Sequence, residues 1–237
     1  MNKNTKLIAA TIYTICFVFL IYIVFSYVDL KDLTDYSFLK NNSELILDFK
    51  NKNLFLISIL FFLFSVVWII MLGFASPLAI IFGYVFGAWY GTLLSVISFS
   101  VGCTLLYFLA NSFFKEIITR YLANKISKIK NKFNKNEFLY FMLFRFTGGA
   151  GIPFAIQNVL PVLFDMKIKN YFFASLIGLL PIIFIINSLG AGLENIVSTS
   201  SDFDYLEVIL SPNIYWPLIC FFLILIVSAF LKNKIFK

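Results

Sequence analysis

Arg145 is the only charged residue well inside an apolar run, the stretch spanning residues 138–147. An ion at membrane depth is costly and ordinarily marks a pathway or a binding site. Gly148, Gly149, Ala150 and Gly151 follow directly, and Pro153 comes after them. Flexible backbone with few side chains survives at depth only where protein or a wet cavity covers it. A fixed guanidinium beside free backbone amides suits an anionic oxygen ligand, and a phosphate above all. Bidentate arginine contacts and N–H groups at a broken helix end both favour such a ligand. Arg145, Gly148, Gly149, Gly151, Pro153 and Asn158 are therefore the candidate phosphate-binding residues. The competing reading is that Arg145 snorkels to the headgroups along its aliphatic stem. Gln157, Asn158, Asn187 and Ser188 are polar at depth, and either line a hydrophilic groove or bond across helices.

Other chemistries lack their parts. The 237 residues contain no histidine, which removes imidazole-based zinc sites, haem-ligating helices and Ser-His or Cys-His nucleophiles. Cys16, Cys103 and Cys220 stand singly in apolar runs, so neither a disulfide framework nor a metal site is indicated. No P-loop, G-x-S-x-G or H-E-x-x-H motif occurs, and no strong pair of buried carboxylates suggests acid–base catalysis. The expectation is a protein that is not an enzyme, with no cofactor and no metal.

The elements that hold Arg145 follow from composition. The chain is 61% apolar and 13% charged, with a mean hydropathy of +0.92, against about 45–50% and about 25% in soluble domains. Such a chain cannot hide its apolar surface in one soluble core and belongs in a bilayer. Residues 7–28, 91–110, 171–190 and 214–231 are apolar enough for transmembrane helices. The first reads as an uncleaved anchor rather than a signal peptide, since it is long and ends without a small-x-small site. Residues 111–137 carry a net charge of +5 and are assigned to the cytoplasm. Residues 29–53 have a net charge of −1, and residues 191–213 hold four acids and no Lys or Arg, so both are placed outside. Both termini are then cytoplasmic.

This sidedness requires an odd number of crossings in residues 54–110 and again in 138–190. Each stretch is too long for one straight span and is broken midway by Pro and Gly. The economical solution is a re-entrant hairpin followed by one full span. The first hairpin covers residues 54–90 with its break at 73–77, and the second covers 138–164 with its break at 148–153. The units point opposite ways, as in inverted-repeat transporters whose broken helices meet near the midplane. Pro77 to Gly102 and Pro153 to Gly178 are both 25 residues, which places a break and a small residue alike in each unit. Two short full spans joined by a tight turn have the same parity and remain open for the first stretch. Gly83, Gly87, Gly91, Ser95, Ser98 and Gly102 form a small-residue stripe at helical spacing, read as tight packing. Residues 113–133 alternate basic and apolar positions as an amphipathic helix on the inner leaflet.

In the second unit, Arg145-Phe146, Ile152-Pro153-Phe154, Asn158, the run from Lys167 to Phe172, Gly178, Pro181 and Gly190-Ala191-Gly192 resemble the DedA superfamily. This family is also called the SNARE-associated Golgi protein or VTT-domain family. In the first unit, Pro77 and then Gly83, Gly87 and Gly91, leading into a span with Gly102, are similar to the same family. The resemblance covers residues 54–192. It implies paired re-entrant hairpins and a role in moving phospholipids or polyprenyl-phosphate carriers between leaflets. Two departures stand out. Many members carry acidic residues in the first hairpin, whereas residues 54–90 have no charge, and the usual proline-rich turn after the arginine is Gly-rich here. The pattern is nearer the branch with an apolar first hairpin.

The resulting expectation is an all-α, multi-pass plasma-membrane protein in three parts. Residues 1–53 form an anchor and external segment, 54–192 the double-hairpin core, and 193–237 an external loop and final span. Its function would be that of a scramblase or flippase with a midplane site between the hairpins. An ion-coupled small-solute transporter and a non-transporting membrane organiser are the rivals. The partners would be lipids, including anionic inner-leaflet lipids at segment 111–137, with no nucleic acid. The sequence leaves the oligomeric state open.

Overall fold

The computed structural model describes residues 50–71, 74–115 and 133–199, together with isolated positions outside those ranges. The spans expected at 7–28 and 214–231 lie outside the described residues apart from such isolated positions, as do residues 116–129 of the basic segment. All secondary structure in the three described stretches is helical. In hydrocarbon, open chains satisfy their backbone polar groups by forming helices. The helices α1 (Leu54–Met71), α3 (Ala88–Leu109) and α6 (Ile168–Thr199) contain segments long and apolar enough to cross a membrane. By contrast α2 (Ser76–Phe86), α4 (Glu137–Phe146) and α5 (Phe154–Val159) are short, α5 continuing as a tighter turn over Leu160–Phe164. With a rise of 1.5 Å per residue, α2 and α4 are only about 17 and 15 Å long.

The order of elements repeats: a helix, a break, a short helix and a long helix. Pro77 stands in the first turn of α2, where its missing N–H forfeits no helical hydrogen bond, and Pro153 immediately precedes α5. The helices flanking the two breaks differ in proportion. The first break lies between a helix of spanning length and a short one, whereas the second lies between two short helices.

Hydropathy misplaces three helix ends, the start of α6 at Ile168 rather than residue 171 among them. α3 starts at Ala88 rather than Gly91 and passes into a wider helical turn over Ala110–Phe114. α6 contains Pro181 and runs on to Thr199, through the start of the stretch expected as an external loop. Hydropathy closes a span where charge appears, at Glu194, but a helix ends only where its backbone ladder does.

The small-residue stripe is also divided. Gly87, at φ 78°, separates α2 from α3, so the series cannot lie on one helical face. A methyl group on Gly83 would stand 1.9 Å from the Asn187 carbonyl oxygen of α6, and one on Gly91 would stand 2.7 Å from the Phe82 carbonyl oxygen of α2. On Gly102 it would meet Ile69 of α1 at 2.9 Å. Each glycine admits a different neighbour. α6 is the hub, packed against α2, α3 and α4, while α1 lies against α3. Across the α3–α6 contact, Asn187 Nδ2 donates to Thr92 Oγ1 at 3.1 Å and to Ser95 Oγ at 3.0 Å. Large apolar side chains such as Phe55, Leu63 and Trp89 remain exposed, as in a surface that faces lipid.

Candidate functional site

Arg145 occupies the last turn of α4, where its positive charge complements the helix dipole. The α4 helix is capped at its start by Asn136, whose side chain accepts from the Leu139 N–H, and it stops at the Gly-rich turn. The Arg145 side chain turns into the protein rather than out to the headgroups, and it is 0% exposed. Its Nη2 donates to Asn158 Oδ1 at 2.5 Å and to the Tyr171 hydroxyl at 2.9 Å. Nη1 makes a longer contact of 3.4 Å with Gln157 Oε1. The guanidinium carbon lies 4.9 Å from the Phe141 ring centroid and 5.0 Å from that of Phe154, within cation–π range. Among the described residues no carboxylate oxygen lies within 4.0 Å of it, and its Nε has no partner. Neutral oxygens and ring faces hold this cation, which leaves its full charge for a ligand.

A cavity of about 220 Å³ opens beside it. Ala75 and Ser76 line it from the first break, and Gly148 and Ile152 from the second. Arg145 and Gln157 complete its polar side, while Leu179, Ile182, Ile183 and Ile186 of α6 supply an apolar wall. The fold therefore brings both breaks to one space, which has a cationic and an apolar side.

The candidate phosphate residues divide. Arg145 and Gly148 line the cavity, whereas Gly149, Gly151, Pro153 and Asn158 do not. Gly148, Gly149 and Gly151 all adopt positive φ, between 67° and 82°, so here glycine serves the turn itself. Gly149 also lies under the Gln157 amide, which a methyl group would strike at 2.1 Å. The amides are not all free, since the Ile152 N–H is committed to the Gly149 carbonyl. Asn158 acts on the arginine, as its partner. Among the packing residues, Gly178 lets α6 approach α4, because a methyl group there would meet Met142 O at 2.6 Å.

Tyr171 and Phe141 escape the sequence reading as partners of Arg145, and Gln157, expected only to line a groove or bond across helices, has a more definite place. Gln157 Nε2 donates to the carbonyls of Gly148 and Ile152, at 3.1 and 2.7 Å, and so pins the turn. Tyr171 accepts from Arg145, donates to the Asn158 carbonyl at 3.1 Å and stacks on Tyr107 at 4.5 Å. Phe141 lies four residues before Arg145 on the same helix face, which was a usable signal. No local pattern marks Tyr171, which reaches the arginine from another helix.

At the other end of α4, Glu137 Oε1 accepts from the Lys167 N–H at 3.2 Å and from Asn170 Nδ2 at 2.7 Å, joining α4 to the start of α6. Asp165 in the preceding turn pairs with Lys115, and with Lys130 at 3.1 Å. Hydrogen bonding to Lys115, reinforced by Lys130 and partly opposed by burial, lowers its carboxyl below the ordinary carboxylate value. The neighbouring Met166 carbonyl accepts from the Tyr107 hydroxyl at 2.6 Å, which continues the contacts to Tyr171 and Arg145.

No solved structure matches the chain. The family model for the VTT domain matches residues 74–192, which contain the α2–α3 unit, Arg145 and the whole cavity wall. Three helices long and apolar enough to cross a bilayer are the setting of that match, and the chain belongs to the VTT-domain family of membrane proteins, the DedA/SNARE-associated Golgi protein family.

Proposed function

We propose that this protein is a lipid translocase that passes a phosphate-bearing headgroup through the cavity between its two breaks. One observation carries the reading: a wholly buried guanidinium, with no carboxylate beside it among the described residues and an unpartnered Nε, forms a wall of a cavity lined by both breaks. A buried cation without a counter-ion is unfavourable, and an anionic ligand offsets that cost. The apolar wall along α6 keeps the adjoining hydrocarbon out of water, while the acyl or prenyl chains stay in the bilayer. The protein in this reading is a carrier, not an enzyme.

The short helices α2 and α4 are re-entrant limbs in this reading. Arg145 lies eight residues after Glu137 on α4, which puts it about 12 Å in from the basic face, close to half of a core about 30 Å thick. The basic face is cytoplasmic by the positive-inside rule, the membrane is the plasma membrane, both termini are inside, and segment 111–137 attracts anionic inner-leaflet lipids. In liposomes, fluorescent phospholipid and polyprenyl phosphate should change leaflet with wild-type protein and not with Arg145→Ala. Unchanged movement with folded Arg145→Ala overturns the proposal, and uptake of a soluble solute without lipid movement replaces it.

A further inference from the structure

A second cavity, of about 430 Å³, opens at the start of α4, at the opposite end of that helix from Arg145. Lys135, Glu137 and Phe138 line one side, and Phe164, Asp165, Lys167 and Asn170 line the other. Its volume is in the range of small-ligand pockets. Its two carboxylates are already engaged. Glu137 holds the Lys167 N–H and the Asn170 amide, and Asp165 holds Lys115 and Lys130. Four lysines thus surround two carboxylates, and the Lys135 and Lys167 ammonium groups take part in none of these ion pairs. Phe138 and Phe164 add an apolar lining next to these charges.

We propose that this cup is a separate binding site for a phosphate-type anion, held between the Lys135 and Lys167 ammonium groups. A tetrahedral anion offers oxygens in several directions and so serves two cations that approach from different elements. A lipid phosphate would set its glycerol or chain end against the two phenylalanines, whereas free phosphate would fill only the charged part. The site stands on its own geometry and does not depend on transport through the buried cavity.

The test uses the full-length protein in phosphatidylcholine nanodiscs. Inorganic phosphate is titrated by calorimetry, and in a parallel arm nanodiscs containing phosphatidate are scored for retained lipid by native mass spectrometry. Lys169 is exposed two positions from Lys167 and does not line the cup, so Lys169→Gln removes the same charge from the same region. With the buried cavity silenced by Arg145→Ala as well as in the wild-type background, Lys167→Gln and Lys135→Gln should each weaken binding about tenfold, since a charge-assisted hydrogen bond is lost, while Lys169→Gln leaves it intact. Binding of inorganic phosphate alone assigns the cup to a soluble anion, and retention of phosphatidate assigns it to a headgroup. Equal losses in Lys169→Gln and Lys167→Gln reduce the effect to surface charge and overturn the proposal. So does a loss confined to Arg145→Ala, or no binding in either arm. Thermal unfolding of each variant shows that it is folded, and the two lysines on separate elements provide independent tests.

Discussion

Arg145 Nη2 lies 2.5 Å from Asn158 Oδ1, so the arginine at the end of α4 is held by a residue of α5, across the Gly-rich break. Tyr171 closes the arrangement by accepting from the same nitrogen and donating to the Asn158 carbonyl. The guanidinium is thereby fixed in orientation by neutral groups that do not neutralise it. A fixed, unneutralised donor set is what binding of an anion requires.

Arg145→Lys should therefore be a severe change although it keeps the charge. An ammonium on a flexible stem cannot reproduce the planar fork that reaches Asn158, Tyr171 and the ligand together. Lipid movement in liposomes should fall about tenfold or more, the worth of one lost charge-assisted bond. Wild-type rates in Arg145→Lys would show that charge alone suffices.

Tyr171→Phe keeps the stack on Tyr107 and removes only the hydroxyl that accepts from Arg145 and donates to Asn158. The expected result is a loss of about 1–3 kcal/mol in stability, read by denaturant unfolding in detergent, together with slower lipid movement.

Two glycine substitutions should separate packing from backbone conformation. Gly83→Ala places a methyl group 1.9 Å from a backbone oxygen of α6, where no side chain can swing away, and should abolish the folded yield. Gly148→Ala meets nothing within 4 Å but sits at φ +67°, and should cost only about 1–2 kcal/mol while the protein still folds. Size-exclusion profiles of the two variants check the contrast.

Asn187→Leu removes both bonds from α6 to Thr92 and Ser95 of α3. Interhelical bonds in membranes contribute about 0.6–2 kcal/mol, so a stability loss near that size is expected, measured by thermal unfolding in detergent.

Asp165 ties the end of α3 and the basic segment to the turn before α6. Its carboxyl is lowered in the folded protein, so its contribution is complete above the ordinary carboxylate value and is lost as pH falls through the lowered one. The side chain is 47% exposed, so the effect should be small and should shrink with added salt. Asp165→Asn tolerates the left-handed backbone at this position, φ 56°, and should flatten the acid dependence of the unfolding temperature. An unchanged acid profile would show that the pairs contribute nothing.

Composition and charge by themselves determined that the chain is helical and belongs in a bilayer, because uncharged runs of this length can satisfy their backbone in lipid only as helices. The breaks at Pro77 and at Gly148–Pro153, and Arg145 as the exceptional ion, were equally legible, since each departs from its immediate surroundings. The tertiary structure decided what those features meet. Ala75 and Gly148 line one cavity although they are distant in sequence, and Gly83 touches the backbone of Asn187. Periodicity describes neighbours within a few turns of one helix, so it read Gly83 to Gly102 as one face across the Gly87 break. It had no means of bringing Tyr171 to Arg145. Those contacts arise where separate helices cross, and only the packing of α6 against α2, α3 and α4 sets them.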